Sequence, residues 1–108
     1  AQRRRRELAA AVDDVFQECD ALVAPAMLTP APPMDSNEPF PFLAAPMINV
    51  PFNLTDHPAV SVRCGFQDSG MPVGAQIITR RWNEAGALLV ADAYERASEW
   101  LGERATIE

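Results

Sequence analysis

The chain has 108 residues, of which 48% are hydrophobic, and this length leaves room for a single domain. Its formal net charge of −6 argues against nucleic acid as a partner, because binding phosphates requires clustered cations. No apolar run approaches the roughly 20 residues of a membrane span, and the charged start is unlike a signal peptide. The basic run at residues 3–6 is expected to form a solvated or partner-facing helix end.

Cysteine and histidine are too few for a metal site. Cys19, Cys64 and His57 show no metal-type spacing, and a zinc site would need more ligands. We therefore expect no metal and no cofactor, two reduced thiols and a cytoplasmic location. The chain starts in a helical pattern without an initiator Met and contains no lysine. From this we expect a piece of a longer protein, whose lysine-dependent chemistry must come from elsewhere.

The first elements are a helix and a short strand. Residues 2–18 carry apolar side chains at helical spacing, which predicts an amphipathic helix. Residues 19–25, CDALVAP, form a short apolar run that ends at a proline and predicts a buried strand. Residues 25–41 hold six of the ten prolines and predict a long extended loop.

The second half predicts a hairpin and a helix. Residues 42–50 are apolar but interrupted by proline, which indicates a short irregular helix, and NLTDHP at 53–58 indicates a turn. The runs 59–66 and 72–80 are joined by QDSG and predict paired strands that are apolar on both faces, within a hairpin spanning residues 59–80. In the second of these strands Gln76 should find an internal hydrogen-bond partner.

Residues 83–100 predict a final helix that Asn83 caps. The side chains expected to line its apolar face are Ala85, Leu88, Leu89, Ala93, Ala97, Trp100 and Leu101. One helix before and one after three strands cannot easily cover both faces of a sheet. The sequence therefore predicts an α/β protein that needs more sheet and more helices than this chain contains.

Three segments resemble the C-terminal part of the amidase signature family. They are CDALVAPAMLTPAP, INVPFNLTDHPAVSVRCGF and GMPVGAQIITRRWNEAGALLVADAYE. The most specific positions are Asn53, Pro58, Ala59, Ser61, Gly65, Gly70, Pro72, Val73, Gly74 and Gln76. The family commonly has Gly where Asp56 stands and Pro where Arg63 stands.

The resemblance implies that residues 1–108 are a fragment of an α/β fold built around a mixed sheet with flanking helices. It implies amide hydrolysis by a Ser–cis-Ser–Lys triad that lies upstream, so that no catalytic residue is expected here. Pro46, Asn49, Val50 and Asn53 are expected to line the pocket for a small-molecule amide. Some relatives acting on glutamine-type amides carry an acidic residue near the position of Pro46, so a neutral, largely apolar acyl group is expected instead.

Two other interpretations stay open. The chain could be a non-catalytic binding or assembly module derived from the same fold, or a thiol enzyme that pairs Cys64 with His57. Seven residues of extended strand would hold that thiol and imidazole apart, which argues against the thiol enzyme. Because partner elements are missing, we also expect self-association through exposed core surface.

Overall fold

The computed structural model describes residues 1–35, 47–100 and 102–104. Its elements, in chain order, are α1 (Gln2–Val15), β1 (Ala21–Pro25), α2 (Val50–Thr55), β2 (Ala59–Phe66), β3 (Pro72–Thr79) and α3 (Glu84–Ala97). Four of them are shorter than the sequence predicts. α1 ends three residues before residue 18, β1 begins two residues after residue 19, β3 ends one residue before residue 80, and α3 begins one residue after residue 83 and ends three before residue 100. Within the described part, no helix is long and apolar enough to cross a membrane.

The sheet has the order β1–β3–β2, and both pairings are antiparallel. The two strands predicted from QDSG and its apolar flanks pair as a hairpin, whose turn is closed by hydrogen bonds from Gln67 N to Met71 O and from Gly70 N to Gln67 O. A bulge at Cys64 shifts the register between Arg63 and Gly65. The mixed sheet implied by the resemblance is thus represented, among the described residues, by three strands that all pair antiparallel.

One face of the sheet packs against α3. Val62 and Ile77 meet Ala91 in a buried cluster, which is extended by the partly buried side chains Ala21, Val60, Ala75 and Tyr94. The prediction that Leu88 and Leu89 lie on the side of α3 that faces the core is wrong, because their side chains are 61% and 71% exposed. The helix instead turns its small side chains to the sheet, so that its backbone can lie close to the strands.

The predicted turn at 53–58 is wrong in its first half, where α2 continues to Thr55. Pro51 lies in the first turn of this helix, where its missing N–H costs nothing. The helix ends at Asp56, whose φ of 58° is left-handed. Of the segment 42–50, in which an irregular helix was predicted, residues 42–46 lie outside the described residues. So do residues 36–41 of the predicted loop.

Asp56 also connects α2 to α1. Arg5 donates from Nη2 to both carboxylate oxygens of Asp56, at 2.8 and 2.7 Å, and its Nε donates to the carbonyl of Leu54. Asp tolerates the left-handed region better than most residues, since its short side chain can hydrogen-bond locally. Glycine, which the resemblance leads one to expect at this position, would gain backbone freedom, whereas Asp56 gains an ion pair.

We expect Asp56→Ala to lower the free energy of unfolding by about 1–2 kcal/mol, through left-handed strain and loss of an exposed ion pair. Asp56→Gly removes the strain together with the pair, so its effect should stay within about 1 kcal/mol. Urea denaturation of both variants measures the difference. Equal losses in the two variants would show that the backbone conformation of Asp56 contributes nothing.

Candidate functional site

Asn49, which caps the N-terminus of α2, and Asn53 within α2 lie above the face of the sheet that α3 leaves free. Asn49 and Asn53 are four residues apart, so the helix puts them on one side. With Ser61 of β2 and Gln76 of β3 they line a cavity of about 330 Å³. Ser61 and Gln76 face each other across the β2–β3 pair, which places their side chains on the same face.

A second cavity, of about 270 Å³, adjoins the first and shares Ala26, Met27 and Ser61 with it. Its remaining walls come from residues 28–31, which follow β1, and from Gln67, Pro72, Val73 and Gly74 around the hairpin. We call the two cavities together the cleft. Gly74 keeps its middle open, because a Cβ there would lie 3.2 Å from both Ser61 Oγ and Ala26 Cβ.

The cleft is polar without being charged. Among the described residues, none of the side chains lining either cavity is ionisable. The polar side chains are amides and hydroxyls: Thr29, Asn49, Asn53, Ser61, Gln67 and Gln76. Such a surface can hydrogen-bond a neutral group but offers no counter-ion to a charged one.

Two amides of the cleft differ in how far their hydrogen bonds are satisfied. Gln76 is 3% exposed, and its Nε2 donates to the carbonyl of Pro25 at 3.1 Å, which confirms the internal partner expected from the sequence. Asn49 Oδ1 is buried and has no hydrogen-bond partner in the described part of the chain. A buried acceptor without a partner carries a desolvation cost that a bound donor can offset.

Only two of the four residues predicted to line a pocket do so in the described structure. Asn49 and Asn53 both line the cleft, whereas half-buried Val50 lines neither cavity. Pro46 lies outside the described residues. Ser61 was expected inside a buried strand, but it is exposed, because β2 forms an edge of the sheet in the described part and α3 covers only its other face. Their role in binding stays a prediction.

Sequence reasoning did not foresee the surroundings of His57. The ring nitrogen Nε2 donates to Asp13 Oδ1 at 3.2 Å, Nδ1 lies 2.7 Å from Thr55 Oγ1, and the ring stacks on Phe16. Arg81 also donates to Asp13, from Nε at 3.2 Å and from Nη2. These contacts join residues 44 and 68 positions apart. No local sequence pattern signals contacts over such separations.

The structure does not bring together the thiol and imidazole of the proposed thiol enzyme. Both nitrogens of His57 already have partners, and Cys64 lies in the bulge of β2, about 20 Å along the strand. Both cysteines are free and half-buried. In the described ranges, no three His, Cys, Asp or Glu side chains are grouped as ligands for a metal ion.

Fold and cleft agree with the outcome of comparison with known proteins. The family model described as Amidase matches residues 1–88, and the chain belongs to that family. It is 38% identical over 102 residues to a glutamyl-tRNA(Gln) amidotransferase subunit from Lysinibacillus sphaericus, covering 93% of this chain but 21% of that protein. The chain thus spans about a fifth of the length of the curated relatives it matches.

Superposition of this chain on solved structures indicates the same family. The crystal structure of a glutamyl-tRNA(Gln) amidotransferase subunit from Thermotoga maritima superposes with a TM-score of 0.76 at 29% identity, over 89% of this chain and 21% of that one. A bacterial aryl acylamidase of the amidase signature enzymes superposes with a TM-score of 0.71 at 26% identity, over 94% and 24% of the two chains. The three-stranded unit described above is a fragment of that larger fold.

Proposed function

We propose that this chain is the C-terminal portion of a longer protein that hydrolyses amide bonds, and that it supplies scaffold and one wall of the substrate pocket. The observation that carries the proposal is the uncharged cleft into which α2 places Asn49 and Asn53. Membership of the amidase family supports the reaction class, and the coverage of about a fifth of each relative supports a larger whole. The whole protein is proposed to work in the cytoplasm without a cofactor.

The catalytic groups are proposed to lie outside these 108 residues. Hydrolysing an amide needs a nucleophile, a base for its proton and donors for the oxyanion. The resemblance implies a lysine as the base, and this chain has none. Its one histidine is held by Asp13 and Thr55 and cannot serve Ser61, Ser69 or Ser98. This part of the protein therefore binds and supports rather than reacts.

The chemistry of the cleft favours a neutral acyl group as the substrate. A substrate with an ammonium group near the cleft would lack a carboxylate to pair with, whereas a neutral amide can hydrogen-bond the exposed side chains of Asn53 and Ser61. An acylamide of the kind named for the aryl acylamidase relative fits this surface. The tRNA named for the amidotransferase relatives is a polyanion, and a chain of net charge −6 offers it no attraction.

A second candidate is a non-catalytic binding or assembly module. Exposed apolar side chains favour it: Leu88 and Leu89 on α3, and Trp82, which is 91% exposed. The names of several relatives call them subunits, which denotes assembly. The two candidates differ in the rest of the protein. A Gly/Ser-rich segment and a catalytic lysine upstream would favour the enzyme, and their loss would favour the module.

Substituting Asn49 tests the pocket. In the full-length protein, Asn49→Asp places a carboxylate in the uncharged cleft, so kcat/KM for neutral amides should fall about tenfold or more. Preference should shift toward amides whose acyl group carries an ammonium. Asn49→Ala is the matched control, since it removes the amide without adding charge. Unchanged substrate preference in Asn49→Asp would show that Asn49 does not contact the substrate.

The isolated chain should not hydrolyse amides, whereas the full-length protein should. The assay is turnover of simple aryl and alkyl amides by the purified chain, compared with the rate in buffer. Loss of a complete catalytic triad costs several orders of magnitude, which positioning alone does not restore. Turnover that disappears in Cys64→Ala would instead establish the thiol enzyme.

Exposed leucines should make the isolated chain associate. Contiguous apolar patches rarely stay exposed on monomers, so light scattering should show species larger than 11.8 kDa as concentration rises. Replacing Leu88 and Leu89 together by Glu should reduce this association, because both side chains point away from the sheet. A chain that remains monomeric at high concentration would contradict the proposal.

A further inference from the structure

His57 is a buried side chain whose two ring nitrogens are bound by different parts of the chain. Its ring has no exposed surface, and it stacks on Phe16 with ring centroids 5.4 Å apart. Nε2 donates to Asp13 in α1, and Nδ1 lies at hydrogen-bond distance from Thr55 in α2. The imidazole is therefore a bridge between two helices that are otherwise far apart in sequence.

The bridge holds the last turn of α2. Thr55 Oγ1 is also within 3.0 Å of the carbonyl oxygen of Pro51, and the backbone N–H of His57 donates to Phe52 O at 3.2 Å. A helix of six residues is too short to be stable or to orient itself by its own hydrogen bonds. Its position must come from tertiary contacts such as these.

The far end of the bridge is fixed as well. Asp13 receives hydrogen bonds from both His57 and Arg81, and Arg81 lies just beyond the end of β3. Arg5 holds Asp56, the residue that ends α2, from a second point on α1. The short helix is thus anchored through α1 to the strand that floors the cleft.

Asn49 caps α2 and Asn53 lies within it, and both line the cleft, so a shift of this helix moves both amides together. We propose that His57 is a positioning residue, which sets through α2 where these two amides meet the substrate; the inference rests on their proposed role in the pocket. Because these two amides are proposed to bind the substrate rather than to react with it, displacing them should raise KM more than it lowers kcat. His57 thus acts on the binding site through α2, although its own side chain does not line the cleft.

The test uses the full-length protein and the neutral aryl amide that it turns over best. His57→Phe keeps an aromatic ring to stack on Phe16 but removes both hydrogen bonds of the imidazole. Thr55→Val removes the partner of Nδ1 together with the hydroxyl's contacts to the carbonyls of Pro51 and Phe52. We expect KM to rise about tenfold in His57→Phe, with kcat changed less than about threefold, because binding rather than chemistry is disturbed. His57→Gln, which can still donate to Asp13, should recover part of the loss.

A matched control separates positioning from general stability. Ala91→Gly lowers the melting temperature through α3, on the face of the sheet away from the cleft, and should leave KM unchanged. If His57→Phe lowers the melting temperature to a similar degree and also leaves KM unchanged, the positioning role is overturned. Should His57→Phe fail to fold, Thr55→Val decides, and an unchanged KM in that variant overturns the role equally.

Asn49→Ala distinguishes this inference from the proposed function. An unchanged KM in Asn49→Ala would contradict the proposed role of the cleft in binding substrate, and with it the positioning role of His57. A raised KM in Asn49→Ala combined with an unchanged KM in His57→Phe would overturn only the role of His57.

Discussion

β3 is the strand on which the arrangement of the described chain depends, because it hydrogen-bonds to both β1 and β2. Its consecutive residues Ile77 and Ile78 are 2% and 0% exposed, although they point to opposite faces. Burying each isoleucine contributes about 1.5–3 kcal/mol before the entropy of ordering is counted. α3 packs on the Ile77 face, and the cleft opens on the face that bears Gln76. The central strand thus fixes both the core and the site.

The sequence predicted the sheet better than the helices that pack on it. The hairpin was readable because two apolar runs flank a turn of Asp, Ser and Gly, and both signals are local. The face of α3 that contacts the sheet could not be predicted from hydrophobicity, because it is formed by the small alanine side chains rather than by the more hydrophobic leucines. Ala87 and Ala91 lie against the sheet while Leu88 and Leu89 face outward. Leucines on the outer face of a helix indicate further elements in the larger fold.

The site could be predicted only in part. Asn49 and Asn53 were proposed through resemblance to a family, and the structure places both on the cleft. Their shared direction depends on a helix that runs from Asn49 through Asn53, whereas the sequence indicated an irregular helix ending at residue 50 and a turn beginning at residue 53. Ser61 was missed, because a strand that is apolar on both faces in sequence need not be covered on both faces in this chain. The contacts of His57 were missed because they form only when α1 and α2 meet.

The charges of the chain are arranged so that the cleft receives none of them from the described residues. Arg5 with Asp56 and Arg81 with Asp13 fasten α1 to α2 and to the end of β3. Exposed pairs of this kind add little stability individually, but here they fix the orientation of a six-residue helix.

Ion pairs need a defined geometry and are therefore suited to the contact between α1 and α2. Amides and hydroxyls impose no charge, so the cleft they line can hydrogen-bond a neutral group. The same short helix carries both, with Asp56 at its end facing α1 and Asn49 and Asn53 facing the cleft.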